Sequence, residues 1–441
     1  MTGDRPAGSE TAERPPGLRV ILDARPLQDP ARAPSTARYL EGLLGAYDAE
    51  PLPGESFAFL LQSDLADPTT AFAGLDVVGR RLLPPTRLLR SGALTVDPFL
   101  LRGASLGAAW RSDRSGAAGA VYHAVAGAPP ILSRIPIVVT LLDLAPWELP
   151  ETFQRTPASR FGQRLRARLI RDAAAVLVGT EAVATAARRL LRLRAGRVRV
   201  VPLAAHPAFA MAAGADTGSE AGSDAGSSGG AEMAAQLEED RVRLGLGARF
   251  LVYFGRFDAR HDVATLLRAL GLLAGRARPR GLRAALPWPP RVLILGASPH
   301  DRAALARAAG RLGGGDALVY APALAPERLA PLVRESRAVV MPALSDAAGL
   351  PALDAIAAGV PVVATAVGAL PEVVGAAGIL VEPRDPARLA EALQTAWADE
   401  RVHGRLVDEA RARATAAPRS WSDVASETRQ VYADVGVRAG D

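Results

Sequence analysis

The chain of 441 residues contains no cysteine. That absence excludes disulfides, thiolate nucleophiles, iron–sulfur clusters and cysteine-ligated zinc, and leaves the redox compartment unmarked. Lysine is missing too, because all 52 basic residues are arginine. No lysine Schiff base or lysine phosphate clamp can therefore operate. Aromatic residues make up only 5%, and no base-reading motif accompanies the net charge of +6. Nucleic acid is accordingly not an expected partner. No apolar run reaches the roughly 18 to 20 residues of a spanning helix. Residues 1–17 are polar, with Pro6, Pro15 and Pro16, so a disordered tail is expected there rather than a signal peptide. What remains, 49% hydrophobic and 22% charged residues, is the profile of a soluble globular protein with two mid-sized domains.

From Leu18 the pattern turns regular. Leu18 to Asp23 is an aliphatic run, and a helical stretch around Ala37 to Ala46 follows it. Similar runs recur at Phe57 to Leu61, Val121 to His123, Ile137 to Leu142, Ala174 to Val178 and Val198 to Leu203. A second series begins with Phe250 to Phe254 and its helix Asp262 to Leu273, then Arg291 to Leu295, Ala317 to Tyr320, Ala338 to Met341, Pro361 to Ala364 and Gly378 to Val381. Alternating strand and helix predicts parallel sheets covered on both faces. Between the two series lies a stretch rich in glycine, serine and alanine, too small and polar to pack. The expected division is a tail over 1–17, an N-terminal domain over 18–207 and a disordered low-complexity insertion over 208–242. A C-terminal domain over 243–415 and a closing helix over 416–441 follow. In such doubly wound sheets ligands sit beyond the carboxyl ends of the strands.

The segment Ser345 to Gly359 carries the densest chemistry. A strand ends at Met341, Pro351 suits the first turn of a helix and Gly359 its stop. First-turn amides have no intrahelical partner and sit at the positive end of the helix dipole, which suits anionic or hydroxyl-rich ligand atoms. Asp346 in the loop and Asp354 on the helix can each accept charge-assisted hydrogen bonds from ligand hydroxyls. Taken alone, a loop aspartate is also an ordinary cap and a helix aspartate an ordinary solvated one. Between Arg155 and Arg199 twelve arginines face only Asp172 and Glu181. This basic run reads either as solvated helix faces or as a contact for an anionic membrane, with Phe161, Leu165 and Leu169 spaced as an apolar stripe.

The run from Ser345 to Ala364, continued through Gly368-Ala369-Leu370-Pro371-Glu372 and Gly378 to Pro383, resembles the signature of family-4 glycosyltransferases of the GT-B fold. Val121-Tyr122-His123-Ala124, Val138 to Leu144, and Trp421, Ala425, Thr428 and Tyr432 resemble further parts of that family. The resemblance implies an α/β protein of two Rossmann-like, doubly wound domains facing across a cleft. It also implies transfer from a nucleotide-diphosphate sugar with retention, an acceptor on the N-terminal side and no metal or other cofactor. By resemblance Asp346, Arg256 and His123 are the candidate catalytic groups. Arg256, His261, Asp346, Gly349, Leu350, Asp354 and Asp143 are the candidate donor-binding ones. Loss of the nucleoside diphosphate builds negative charge on oxygen, and fixed cations lower that barrier.

The chain departs from the family pattern at named positions. Both expected glutamates are aspartates, at 346 and 354. His261 stands where a lysine is expected, Leu142 where many members have a histidine, and Ser35-Thr36-Ala37 where a glycine-rich turn is usual. Ala347, Ala348 and Ala204 are further substitutions. Three readings follow. The first is a cytoplasmic hexosyltransferase, peripheral on the inner membrane face, acting on a lipid, polysaccharide or small-molecule acceptor. The second is a catalytically weak or inactive homologue serving as a binding partner or scaffold. The third, a sugar-nucleotide epimerase, needs a richer set of acids and bases than the sequence shows.

Overall fold

The computed structural model describes residues 17–86, 93–112, 119–125, 129–211, 227–416 and 418–437. Its strands, in chain order, are β1 Leu18–Asp23, β2 Ser56–Gln62, β3 Val77–Leu83, β4 Gly119–Ala124, β5 Ile137–Thr140, β6 Ala175–Val178 and β7 Val198–Val200. Then come β8 Leu251–Tyr253, β9 Val292–Leu295, β10 Leu318–Ala321, β11 Ala338–Met341, β12 Val362–Thr365 and β13 Gly378–Val381. They form a seven-stranded sheet in the order β3-β2-β1-β4-β5-β6-β7 and a six-stranded sheet in the order β10-β9-β8-β11-β12-β13. The expected α/β architecture of two parallel, doubly wound sheets is thus present.

The strands form where aliphatic side chains can be buried on both faces. Val339, Val340, Val362 and Val363 are wholly buried in β11 and β12, as an interior parallel strand demands. β3 was not legible as a strand: it lies at a sheet edge, and Arg80 and Arg81 face solvent, the charged composition that protects an edge from unwanted pairing. Strand order reverses between β1 and β4 and between β8 and β11. Those switch points, beyond the carboxyl ends of the strands, are where such sheets collect ligands.

The described residues group into two compact units, one comprising Met1–Thr140, Arg164–Val176 and Ala425–Asp441, the other Leu141–Gln163 and Leu177–Val424. In the first, Arg25 grips Asp23 with Nε at 2.8 Å and Nη2 at 2.7 Å, and reaches Asp97 at 3.1 Å. This buried guanidinium ties the end of β1 to the helix Ala93–Ser112. Arg429, on the helix Trp421–Val437, binds Glu55 at 2.7 Å and lies over the Tyr47 ring at 4.5 Å.

In the second unit the helices Val263–Ala274 and Pro386–Ala398 close one core, with Leu266, Leu270, Leu393 and the wholly buried Trp397 packed together. The span 208–242, expected to be disordered, is different in part. A helix runs over Ser227–Arg243, and residues 212–226 lie outside the described residues. The reason is local. Ala-Glu-Met-Ala-Ala-Gln-Leu-Glu-Glu is composed of strong helix formers, and the buried Asp240 pairs with Arg243 at 2.7 Å and Arg328 at 2.8 Å. The tail over residues 1–16 also lies outside the described residues.

The basic run folds largely as the helices Pro157–Asp172 and Glu181–Leu191. Phe161 is exposed, but Leu169 is buried, so the apolar stripe turns inward along the first helix. Arg160, Arg164, Arg168 and Arg171 face solvent. Among the described residues no helix is long and apolar enough to cross a membrane.

Two loops of the second unit are locked together at Gly368. Its φ is +54°, and a Cβ there would lie 1.9 Å from the carbonyl oxygen of Asp346, to which Ala369 donates its N–H at 2.8 Å. Gly368→Ala is expected to cost about 3 kcal/mol or more, through left-handed strain and forced displacement of the 342–349 loop. Urea denaturation of the variant measures it; an unchanged midpoint would refute the lock.

Candidate functional site

Four chain segments of the second unit meet beyond the ends of their strands. They are the loop after β8, the loop after β11, the turn after β12, and residues 141–148. Leu344 donates its N–H to the Arg260 carbonyl at 2.5 Å, joining the first two loops. The helix Leu350–Ala357 starts at Gly349, whose φ of +64° bends the loop into it, with Pro351 in the first turn and Gly359 at φ +71° beyond its end. A side chain at Gly349 would press on Val373 and Ala369 at 3.1 and 3.3 Å. Only glycine fits that bend without strain.

Asp346 lies at this helix start and folds back on it. Its Oδ1 accepts the N–H groups of Gly349 at 2.7 Å and Ala348 at 3.1 Å. Burial raises its carboxyl above the ordinary value, opposed by the Gly349 amide, the charge of His261, the Ala348 amide and the charge of Arg260. The Gly349 amide, expected to face a ligand, is thus already used by Asp346. Leu350 follows as the first helical residue and is buried.

The loop after β8 supplies the cations. Arg256 is half-buried, and its carbonyl accepts the Tyr253 hydroxyl at 2.9 Å. Arg260, not singled out from sequence, spans two acids: Nη1 reaches Asp143 at 2.8 Å and Nη2 reaches Asp258 at 3.0 Å. His261 Nδ1 lies 2.7 Å from Asp258 Oδ1. Burial alone would raise the Asp258 carboxyl, but the hydrogen bond and charge of His261, with Arg260, hold it well below the usual carboxylate range. Asp262 caps the next helix, its carboxylate taking the Thr265 hydroxyl at 2.6 Å.

The 141–148 segment adds two carboxylates. Asp143 accepts the Ala145 N–H at 2.9 Å as well as Arg260. Glu148, also unread from sequence, accepts a hydrogen bond from the Ser345 hydroxyl. Burial raises its carboxyl, Ser345 counteracts this, and nearby Asp143 and Asp346 add to the rise. Leu142 is buried, so its apolar side chain is satisfied by packing. No local pattern flagged Arg260 or Glu148, because their partners lie 117 and 197 positions away.

Asp354 is almost fully buried and accepts the backbone N–H of His206 at 2.9 Å. The carboxylate expected to hold a ligand therefore holds a chain segment. His123, expected as a catalytic group, has both ring nitrogens in contact with the protein itself. It is wholly buried in the first unit, with Nε2 at 2.7 Å from the Thr140 hydroxyl and Nδ1 at 2.6 Å from the Tyr432 hydroxyl. Both ring nitrogens are occupied, so neither can reach a ligand, and the ring is a structural member of the core. A cavity of about 780 Å³ lies elsewhere in the second unit, at the far end of the Leu350–Ala357 helix, lined by residues such as Arg334, Gly359, His403 and Arg411. Among the described residues no group of three or more metal-binding side chains occurs.

Residues 248–399 match the family model described as Glycosyl transferases group 1. This segment contains the loop after β8 and the Asp346 loop. No curated protein matches the chain. Solved structures are similar throughout, and their likeness shows the fold to be GT-B. Sucrose-phosphate synthase from Thermosynechococcus elongatus is 19% identical, with a TM-score of 0.64 over 96% of this chain and all of its own. The HepE protein of Anabaena in complex with UDP is 16% identical, with a TM-score of 0.62 over 95% of this chain and 100% of its own. A glycosyltransferase from Rickettsia africae is 11% identical, with a TM-score of 0.65 over 96% and 99%.

Burial of His123 lowers its pKa from 6.5 to about 3. The unfolded chain therefore binds a proton that the native state refuses between those values. Stability contributed by the neutral ring is complete above pH 6.5 and falls as the solution is acidified toward 3, by about 3 kcal/mol between pH 6.5 and pH 4. Urea midpoints across this range should fall less steeply for His123→Gln than for the parent; equal slopes would refute the buried neutral ring.

Proposed function

We propose that the protein transfers a hexosyl unit, with retention, from a nucleoside-diphosphate sugar to a lipid, polysaccharide or small-molecule acceptor, as a family-4-type glycosyltransferase. The observation that carries the reading is the joining of the loop that bears Arg260 and His261 to the Asp346 loop at a helix start, through the Leu344 N–H on the Arg260 carbonyl. A leaving diphosphate needs fixed positive charge where its oxygens gather electrons. Arg256, Arg260 and His261 supply it in this reading, with no metal ion. Asp346 receives sugar hydroxyls, Asp354 the ribose, and the first-turn amide of Leu350 joins them. Asp143 steadies the cations through Arg260. UDP in the Anabaena relative makes uracil the first base to test.

The reading assigns donor binding to residues 243–415 and acceptor binding to 18–207. It places the protein in the cytoplasm on the inner membrane face, with the outward arginines of the Pro157–Asp172 helix toward anionic lipid. Flotation with anionic vesicles at low salt tests that contact. Arg164→Glu with Arg168→Glu should abolish it, and failure of the parent to float would reject it.

A second reading, a GT-B-fold binding partner without transferase activity, is favoured by one observation: Asp143, Asp346 and Asp354 each already hold a group of the protein itself. Thermal-shift titration with UDP, GDP, ADP and dTDP sugars separates the two. A transferase gains about 2.7 kcal/mol with a ligand at a hundred times its Kd, for one base; no gain with any favours the partner. Asp346→Asn keeps an oxygen for the loop amides but loses the charge, so turnover should fall about tenfold to a hundredfold with smaller loss of donor affinity. Asp354→Asn keeps the His206 contact and should mainly weaken donor binding. Equal, negligible effects would remove both residues from the site.

A further inference from the structure

The cavity of about 780 Å³ opens at the amino ends of β11 and β12, the end of the sheet opposite the candidate donor site. Its floor is formed by residues 358–361, which lead from the Leu350–Ala357 helix into β12. One wall is the helix Glu400–Ala416, which brings His403, Val407 and Arg411 to the cavity at a spacing of four, the interval that keeps side chains on one helical face. The other is the helix Pro326–Glu335, with Glu327 and Arg334, and Ala208, Ala210 and Met211 complete the lining. A cavity of this volume admits an organic molecule of moderate size.

Most of the lining is apolar, and its charge is unbalanced. Arg334 donates through Nη2 to the carbonyls of Ala208 at 2.6 Å and Ala210 at 3.1 Å, while its Nη1 and Nε have no partner among the described residues. Crowding by the cavity wall, opposed by no acid, lowers its pKa below the ordinary value, although the guanidinium stays charged. Arg411 lays its stem against the bare backbone of Gly359, where a Cβ would meet Arg411 Cγ at 3.1 Å and Met211 Sδ at 3.2 Å. Arg334 is bound to Ala210 and Arg411 stands beside Met211, so two guanidinium side chains approach one short stretch of chain. The acid of the lining, Glu327, sits two turns before Arg334, about 10 Å away along the helix. His403 adds no charge. Its Nε2 donates to the Arg337 carbonyl at 2.9 Å, and burial, with the charge of Arg337, lowers its pKa to about 4.

A pair of arginines over an apolar floor complements a multiply charged head on an apolar body. A phosphate monoester carries a charge of about −1.5 to −2 near pH 7 and has oxygens for both guanidinium groups, whereas a carboxylate brings a single charge. We propose that this cavity binds a phosphate monoester carried on an apolar chain, its phosphate held by Arg334 and Arg411 and its chain laid against Met211, Val360, Pro361 and Val407. The site is separate from the candidate donor site and does not depend on the proposed transfer. Binding makes and breaks no covalent bond.

Calorimetric titration of the full chain with octyl phosphate tests the proposal. One molecule should bind per chain, about tenfold or more tightly than inorganic phosphate, which lacks the apolar chain, or octanol, which lacks the charge. Octanoate should bind more weakly than octyl phosphate; equal affinity would overturn the assignment of a phosphate. Arg334→Gln and Arg411→Gln should each weaken octyl phosphate about tenfold, while Arg334→Lys, which keeps the charge, should retain most of the affinity. Val407→Trp fills the cavity without removing a side-chain hydrogen bond and should abolish binding, so the lost Ala208 and Ala210 contacts of Arg334→Gln cannot imitate it. Arg256→Gln, in the loop after β8, should leave the affinity unchanged; a loss there would move the phosphate to the candidate donor site and overturn the proposal. Absence of binding by the folded parent, equal affinity for octanol and octyl phosphate, or full affinity in Val407→Trp would overturn it as well.

Discussion

The second unit is organised around the hydrogen bonds of one residue, Asp346. Its carboxylate holds the amides of Ala348 and Gly349, and its carbonyl receives the amide of Ala369 across the bare backbone of Gly368. These bonds fix the start of the Leu350–Ala357 helix and join the loop after β11 to the turn after β12. Helix starts are costly places to leave amides unpaired. A half-buried aspartate that satisfies two of them is stabilising, and it also sets the charge at the point where the strand order turns.

Around this point the charges are paired in a chain rather than scattered. Asp143, Arg260, Asp258 and His261 form a continuous series of contacts of 2.7 to 3.0 Å, while Glu148 and Ser345 form a separate link beside it. Such a chain keeps half-buried ions from paying a full desolvation cost. It also leaves one end open at His261.

The fold was legible because buried parallel strands are written as short aliphatic runs, and the runs at Val121, Ile137, Ala338 and Pro361 each fall on a strand or its edge. The edge strand β3 and the helix Ser227–Arg243 were not. The first carries arginines where an interior strand would be apolar, and the second is concealed beside a glycine- and serine-rich stretch. Legibility of the site was narrower. The loops at Gly255 and Ser345 could be placed at strand ends, and the turn residues Gly349, Pro351 and Gly359 could be assigned their conformations. Which side chains meet there could not, because Arg260 with Asp143 and Glu148 with Ser345 are contacts of tertiary structure. His123 likewise could be placed at a strand end, but its contact with Tyr432, 309 positions away, belongs to tertiary structure.

The shortened acid at position 346 acquires a physical meaning from these contacts. An aspartate side chain has the length to accept amides two and three residues ahead of it, which is why it favours turns and caps. A glutamate, longer by one methylene, would carry its carboxylate past those amides toward whatever lies beyond the loop. Asp346 therefore serves its own helix. Oδ1 carries both amides. The same commitment operates at Asp354, where the His206 amide is bound to Oδ1. Each of the two aspartates is thus committed, through one carboxylate oxygen, to holding backbone of the protein itself.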